Sequence, residues 1–197
     1  MMKSFHTEGL IEAGCDEAGR GCLAGPVFAA SVILPPDFSD DLIADSKKLS
    51  HNKRLKAREL ILKYAKDWAV YQLDNKVIDE VNILNASFLA MEKSVGKLKI
   101  TPELLLIDGN RFRTKLKIPY KCIIKGDDKF YSIAAASILA KTFRDEYMVK
   151  ISEEYPVYKW EKNKGYPTKE HQRAILEHGF SPYHRKSFHL KSQLSLF

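Results

Sequence analysis

The chain has 197 residues, 45% of them hydrophobic and 29% charged, and 32 Lys and Arg against 25 Asp and Glu leave a net charge of +7. That length suits one domain whose core buries roughly 70% of the unfolded surface without a staple, and Cys15, Cys22 and Cys122 form no C-x-x-C pair and are odd in number, which excludes a disulfide framework and points to a reducing compartment. Met1 to Glu8 is too polar for a secretory signal and no apolar run approaches the ~20 residues of a membrane span, so a cytoplasmic protein that does not engage a membrane is expected.

The first element is an apolar, strand-like run over 10–16 that ends in the adjacent carboxylates Asp16 and Glu17. Successive strand residues point to opposite faces, so these two cannot both face the core. The Gly19-Arg20-Gly21 loop follows, with a backbone free to approach a ligand closely. Gly19 to Ala24 fits the G-x-G-x-x-A dinucleotide pattern, but that pattern needs a helix to begin inside it. Instead Gly25-Pro26 leads into Val27–Leu34, rich in β-branched and aromatic residues and bounded by prolines. The spacing therefore predicts a hairpin of 10–16 and 27–34, not a nucleotide site.

A loop is predicted from Pro35 to Asp45, then a helix near 51–66 with Ser50 as N-cap. A third strand covers 68–73. Ile78, Val81, Leu84, Phe88, Met91, Val95 and Leu98 recur at three- and four-residue steps, predicting one amphipathic helix with its stripe in the core. Leu104–Asp108 is a short apolar strand, suited to a central position covered on both faces. A fifth strand covers 120–124, and a helix runs from about 130 to 152 with a flat side of Ala134, Ala135, Ala136, Ser137 and Ala140. Thr168 caps a last helix that stops at Gly179. Strands first, then alternating helices and strands, predict an α/β fold with a mixed five-stranded sheet.

Acidic residues end three of these elements: Asp16-Glu17, Asp108 and Asp127-Asp128. Carboxylates at the ends of apolar strands are costly unless solvated, paired or metal-bound. If the first and fourth strands are neighbours, all three sites meet at one edge. An all-oxygen set suits Mg²⁺ or Mn²⁺, and two such ions could act on a phosphodiester. The six histidines form no H-E-x-x-H pattern, and no G-x-S-x-G or P-loop is present. His171 and His178 lie seven apart on one helix with no cysteine near them in sequence, a weak pattern for zinc. Arg111, Arg113, Lys115, Lys117, Lys121, Lys125 and Lys129, then Lys159, Lys162, Lys164, Lys169, Arg173, Arg185, Lys186 and Lys191 with Trp160, Tyr166, Tyr183 and Phe188 interleaved, predict a basic surface for a polyanion such as nucleic acid.

Several blocks together resemble a known family. Cys15-Asp16-Glu17-Ala18-Gly19-Arg20-Gly21 with Gly25-Pro26-Val27 resembles the opening motif of ribonuclease HII. Asp45-Ser46-Lys47-Lys48-Leu49 resembles its second block and Ile107-Asp108-Gly109 its third. Lys125-Gly126-Asp127 with Ser132 to Asp145 resembles the fourth, and Gly165-Tyr166-Pro167-Thr168 with His184-Arg185-Lys186-Ser187-Phe188 the fifth. The blocks keep the family order from about 14 to 188. The related ribonuclease HIII carries an extra N-terminal domain, whereas only about nine residues precede the first strand here, and its opening motif lacks the arginine found at Arg20.

The resemblance implies a ribonuclease H-like fold: a catalytic core over 1–152, a small helical substrate-contacting part over 153–192 and a tail over 193–197. It implies a metal-dependent endoribonuclease that cleaves the RNA strand of RNA–DNA hybrids and cuts 5′ of ribonucleotides embedded in duplex DNA, leaving a 3′-hydroxyl and a 5′-phosphate. Asp16, Glu17, Asp108 and Asp127 match the acidic positions that hold two Mg²⁺ or Mn²⁺ ions; Asp127 is preferred to Asp128 because it completes the Lys-Gly-Asp block. Gly19, Arg20, Gly21 and Tyr166 match the elements that read the ribose 2′-hydroxyl, and Lys47 joins them as a substrate contact. Gln193, Leu194, Leu196 and Phe197 resemble the peptide with which bacterial repair proteins dock on the β sliding clamp. A monomer is expected. Alternatives are another nuclease of the same fold, such as a junction resolvase, and a nucleic-acid-binding module whose acidic cluster is structural.

Overall fold

The computed structural model describes residues 2–44 and 49–188. Five strands, β1 (Glu12–Ala18), β2 (Val27–Ile33), β3 (Asp67–Leu73), β4 (Leu104–Asp108) and β5 (Tyr120–Ile123), form one sheet in the order β3-β2-β1-β4-β5. β1 pairs antiparallel with β2 and parallel with β4; β2–β3 is antiparallel and β4–β5 parallel. The sheet is therefore mixed, with β1 at its centre and β4 beside it, the adjacency on which convergence of the acidic sites depends.

Around it lie α1 (Asp41–Ala44), α2 (His51–Tyr64), α3 (Asn75–Val81), α4 (Ile83–Val95), α5 (Tyr131–Ser152), α6 (Trp160–Asn163) and α7 (Lys169–His178). Ser50 and Thr168 cap α2 and α7 as expected, each accepting a backbone N–H of the first turn. Two expectations need correction. The loop over 35–45 contains the one-turn helix α1, because the Asp40 carboxylate accepts the N–H groups of Leu42 and Ile43 at 2.9 and 3.2 Å. The single amphipathic helix over 78–98 is two, α3 and α4. Asn82 breaks it at φ 66° and ψ 164°, a backbone conformation outside the helical region, and its side chain caps α4 by accepting from Asn85 N at 3.1 Å. The apolar stripe survives the break because both helices still turn it toward the sheet.

Each face of the sheet carries its own core. Ala13, Cys15, Val27, Ala29, Leu105 and Ile107 pack with Ala86, Phe88, Met91 and Val95 of α4. On the other face, Ala18, Ala30 and Val32 pack under the alanines of α5, and Leu104 and Leu106 meet Ile133. A third cluster joins α5 to the C-terminal elements through Met148, Ile151, Tyr158, Trp160, Ala174 and Ile175, and it includes Leu23 and Ala24 of the β1–β2 loop.

The closest approach of helix to sheet is at Gly14. A Cβ there would stand 2.2 Å from the Ser132 carbonyl carbon and 2.4 Å from Ile133 N, both backbone atoms that cannot step aside. Gly14→Ala should push α5 off the sheet and cost roughly 1–3 kcal/mol, as overpacking does. Chemical denaturation should show a lower midpoint with an unchanged slope; an unchanged midpoint would mean the contact has slack.

Candidate active site

The site forms where β1 and β4, running parallel, reach their C-terminal ends. Residues Glu12–Cys15 pair with Leu104–Ile107, so Asp16 and Asp108 are the next residues along neighbouring strands. The alternation that sends Ala13 and Cys15 toward α4 sends Asp16 toward α5 and Glu17 back toward α4. Asp16 is 7% exposed, and the Ser137 side chain and the Glu17 N–H hydrogen-bond to its carboxylate, the latter at 2.7 Å. Glu17 opens onto a cleft shared with Asp108, Gly109, Asn110, Arg111 and Arg20 and floored by Leu84, Phe88 and Met91. It accepts from Arg20 Nη1 at 3.0 Å. The paired carboxylates therefore divide as the strand's pleat requires.

Asp127 arrives from a different element. After β5 the chain makes a short 3₁₀ turn over Gly126–Asp128, entered by Lys125 in the left-handed region at φ 54°. Gly126 N donates to Asp108 Oδ1 at 2.7 Å, tying the turn to the end of β4. Within it Asp127 is buried at 7% exposure while Asp128 faces solvent. The turn thus buries Asp127 on a segment tied to the end of β4.

The electrostatics of this edge are unbalanced. Burial pushes Asp16 well above the usual carboxylate range, and the nearby Glu17 and Asp108 raise it further. Burial also raises Glu17, against the pull of Arg20. Among the described residues no three His, Cys, Asp or Glu side chains form a ready-made metal cage. The donors nonetheless fit a hard cation: all are carboxylate oxygens, they come from two strand ends and a turn, and their mutual repulsion is what a divalent ion would offset.

The substrate-side residues flank this edge. Gly19 has φ +96° and lies against the Arg144 guanidinium, where a Cβ would fall 2.0 Å from Nε. Arg144, fully buried in α5, donates to the carbonyls of Pro26, Ala24 and Lys164 at 2.9–3.1 Å. Arg185 donates to Gly25 O at 3.0 Å and to Arg20 O at 2.9 Å. These two side chains fix the Gly19-Arg20-Gly21 loop, and nothing in the pattern of a helical or C-terminal arginine distinguishes them from surface charges. The structure brings Tyr166 to the same loop: its hydroxyl hydrogen-bonds with the Cys22 thiol, and its ring lies 5.8 Å from the Arg144 guanidinium and 5.7 Å from Lys141 Nζ.

The basic surface needs correction at two positions. Arg185 is 1% exposed and Trp160 fully buried, so neither faces a polyanion; Arg185 gives Nε and Nη1 to loop carbonyls while its buried Nη2 has no hydrogen-bond partner, and Trp160 packs in the third cluster. Arg111, Arg113, Lys115, Lys117, Lys121, Lys125 and Lys129 are exposed as expected. His171 is buried and His178 exposed, so the two do not share a site. Lys47, Lys191 and the tail residues Gln193, Leu194, Leu196 and Phe197 lie outside the described residues.

Solved structures share this architecture. The ribonuclease H2 from Pyrococcus horikoshii OT3 superimposes with a TM-score of 0.77 at 24% identity, covering 93% of this chain and 96% of that one. The ribonuclease HII of a PCNA complex from Archaeoglobus fulgidus gives 0.73 at 24% identity, covering 92% and 96%. At these identities the likeness is one of fold. Sequence goes further: a model of ribonuclease HII matches residues 13–191, and the ribonuclease HII of Bacteroides thetaiotaomicron is 58% identical over 190 residues, 96% of this chain and 95% of that protein. The chain belongs to the ribonuclease HII family, and it is a metal-dependent endoribonuclease.

If the carboxylates bind a divalent ion, Mg²⁺ or Mn²⁺ should raise the melting temperature in proportion to the logarithm of its concentration above Kd, and EDTA should reverse the rise. Asp108→Asn should abolish most of that response, and Asp127→Asn should weaken it more than Asp128→Asn. Thermal melts of the four proteins with and without metal check this; the opposite order for Asp127 and Asp128 would exchange their roles.

Proposed function

We propose that the chain hydrolyses the RNA strand of RNA–DNA hybrids and cuts 5′ of ribonucleotides embedded in duplex DNA, leaving a 3′-hydroxyl and a 5′-phosphate. The observation that carries this reading is the meeting of Asp16, Glu17 and Asp108 at the ends of β1 and β4, with the Asp127 turn tied to Asp108 through Gly126 N and the Gly19-Arg20-Gly21 loop and Tyr166 alongside. In this reading Asp16 and Asp108 anchor two divalent ions, Mg²⁺ or Mn²⁺, and Glu17 and Asp127 complete the set. Such ions supply Lewis acidity to a water and to the phosphate it attacks.

The protein's own groups do the selecting. Gly19 and Gly21 let backbone N–H and C=O groups come within hydrogen-bonding distance of a sugar, and the 2′-hydroxyl is what distinguishes RNA from DNA at that distance. Arg20, half-exposed beside Glu17, is placed to meet a backbone phosphate. Tyr166, 37% exposed, offers its ring edge and hydroxyl to the same sugar. Lys47 contributes a further substrate contact, and the exposed basic residues of 111–129 follow the phosphates. Residues 1–152 act as the catalytic core and 153–192 as the substrate-contacting part, in a cytoplasmic monomer whose three cysteines stay reduced; all three are free, and Cys15 and Cys22 are buried.

A duplex carrying one ribonucleotide and its all-DNA twin, each incubated with Mg²⁺ or EDTA, tests the reading. Cutting of the first alone, and only with metal, is expected. Cutting of both would favour a resolvase-like nuclease, and binding without cutting a non-catalytic module.

The reading extends to a partner. Gln193, Leu194, Leu196 and Phe197 dock on the β sliding clamp, and burying each large apolar side chain contributes roughly 1.5–3 kcal/mol before ordering costs are met. The Archaeoglobus fulgidus ribonuclease HII solved with PCNA supports a sliding clamp as a partner type. Truncation after Ser192 should leave cleavage of a short duplex unchanged and remove clamp binding measured by surface plasmon resonance. Retained binding, or a lower melting temperature, would end the docking proposal.

A further inference from the structure

Tyr166 is a proposed substrate contact that stands in no strand or helix. It stands in the turn between α6 and α7, after Lys164 and Gly165, both at positive φ. The peptide from which its ring projects is held within this turn, while Cys22, Arg144 and Lys141 meet the side chain itself. Tyr166 N donates to Asn163 O at 2.9 Å, and Tyr166 O accepts from Thr168 N at 2.8 Å. The same carbonyl lies 2.9 Å from His171 Nδ1.

That contact is the end of a buried chain whose sense is fixed by the partners. A carbonyl only accepts, so His171 Nδ1 carries the hydrogen and Nε2 has the lone pair. Nε2 accordingly accepts from Trp160 Nε1 at 3.0 Å, and it lies 3.1 Å from His184 Nε2. His184 Nδ1 accepts the Ser181 N–H at 2.9 Å, with Ser181 Oγ at 2.8 Å, which leaves its hydrogen on Nε2, pointed at His171. The order is Ser181 to His184 to His171 to the Tyr166 carbonyl, every link donor to acceptor. Both rings are fully buried, and burial keeps both neutral, with His184 pushed down to about 4.

The chain begins where the substrate loop is also anchored. His184 pairs with Ala24, Gly25 N donates to Tyr183 O at 2.9 Å, and Arg185 holds Arg20 O and Gly25 O. Asn75 of α3 clamps the carbonyls of Pro182 and His184 at 2.9 and 3.0 Å. One segment, 181–185, thus governs both halves of the sugar-reading surface: the glycine loop through Arg185 and Tyr166 through the histidine pair.

We propose that His171 and His184 are positioning residues that set the Tyr166 peptide, and hence its ring, in register with the Gly19-Arg20-Gly21 loop. This rests on the reading of Tyr166 as a contact to the ribose, and neither histidine touches substrate. A merely space-filling pair would serve the fold equally well with the bond to Tyr166 cut.

Two substitutions separate these roles. Asn at 171 puts an amide nitrogen where Nδ1 was, keeping the bond to Tyr166 O and losing the link to His184 and Trp160. Gln at 171 reaches the Nε2 position, keeping the buried link and losing Tyr166. The measurements are kcat/KM on a duplex with one ribonucleotide and on a continuous RNA–DNA hybrid, with the melting temperature of each variant. His171→Gln should lower the preference for the single ribonucleotide by roughly tenfold, as loss of one oriented hydrogen bond does, with a melting temperature near that of the parent. His171→Asn should keep the preference within about twofold although it melts earlier. Preference unchanged in His171→Gln, or falling in step with the melting temperature across both variants, overturns the proposal. Tyr166→Ala runs alongside. If it lowers the preference and His171→Gln does not, positioning fails and the reading of Tyr166 stands; if it leaves the preference unchanged, that reading fails and the proposal with it. Should either variant not fold, imidazole ¹⁵N shifts of the unmodified protein decide. They should show hydrogen on Nδ1 of His171 and on Nε2 of His184 at neutral pH, and the reverse tautomer in either ring overturns the proposal.

Discussion

Helix α5 can rest on β1 only because Gly14 has no side chain, and the chemistry of the site follows from that closeness. With the Ser132 and Ile133 backbones against the strand, the next outward-facing residue on the same side, Asp16, is brought under Ser137 and out of bulk water. The run Ala134, Ala135 and Ala136 keeps the helix low over the sheet. A larger residue at Gly14 would lift the helix and expose Asp16. Depth of burial here is a packing result before it is an electrostatic one.

Charge is distributed in a complementary way. Carboxylates gather at the ends of β1 and β4, where burial and mutual repulsion hold Asp16 and Glu17 protonated more readily than usual. Against the adjoining loop stand two buried guanidiniums, Arg144 and Arg185, which donate to carbonyl oxygens of the β1–β2 loop and of Lys164. Burial lowers Arg185 to about 10, with Arg144 adding to the fall. A buried arginine is tolerable when a fork of carbonyls replaces its water. The fork in turn fixes an otherwise glycine-rich loop, so the loop is rigid by side chains that come from elsewhere.

The C-terminal elements serve this loop more than they extend the core. Their aromatic cluster takes in Leu23 and Ala24, the bridge from Ala24 to His184 continues the loop backbone, and Gly165 O accepts Leu23 N at 2.8 Å. Asp79 of α3 adds an anchor from the other side, accepting the N–H groups of Lys186 and Ser187 at 2.9 Å. The Glu17 cleft is lined by Arg20 and Arg111.

Sequence alone determined the five strands, the capped helices α2 and α7, the long helix α5 and the acidic ends, because each is written in local terms: period, cap or run of small residues. Through blocks whose order and spacing are specific, it also pointed to the family to which the chain belongs. It did not determine the break at Asn82, since an apolar stripe continues across a capped turn as smoothly as along one helix. Nor could it separate Arg144, Arg185, His171 and His184 from surface residues of the same type, because what distinguishes them is the set of distant carbonyls and rings they meet, more than a hundred residues away for both arginines. The tertiary structure alone decided that Asp16 and Asp108 are neighbours, that Asp127 turns inward while Asp128 turns out, and that segment 181–185 holds the loop and Tyr166 together. Those are consequences of strand order and packing depth, which no local pattern encodes.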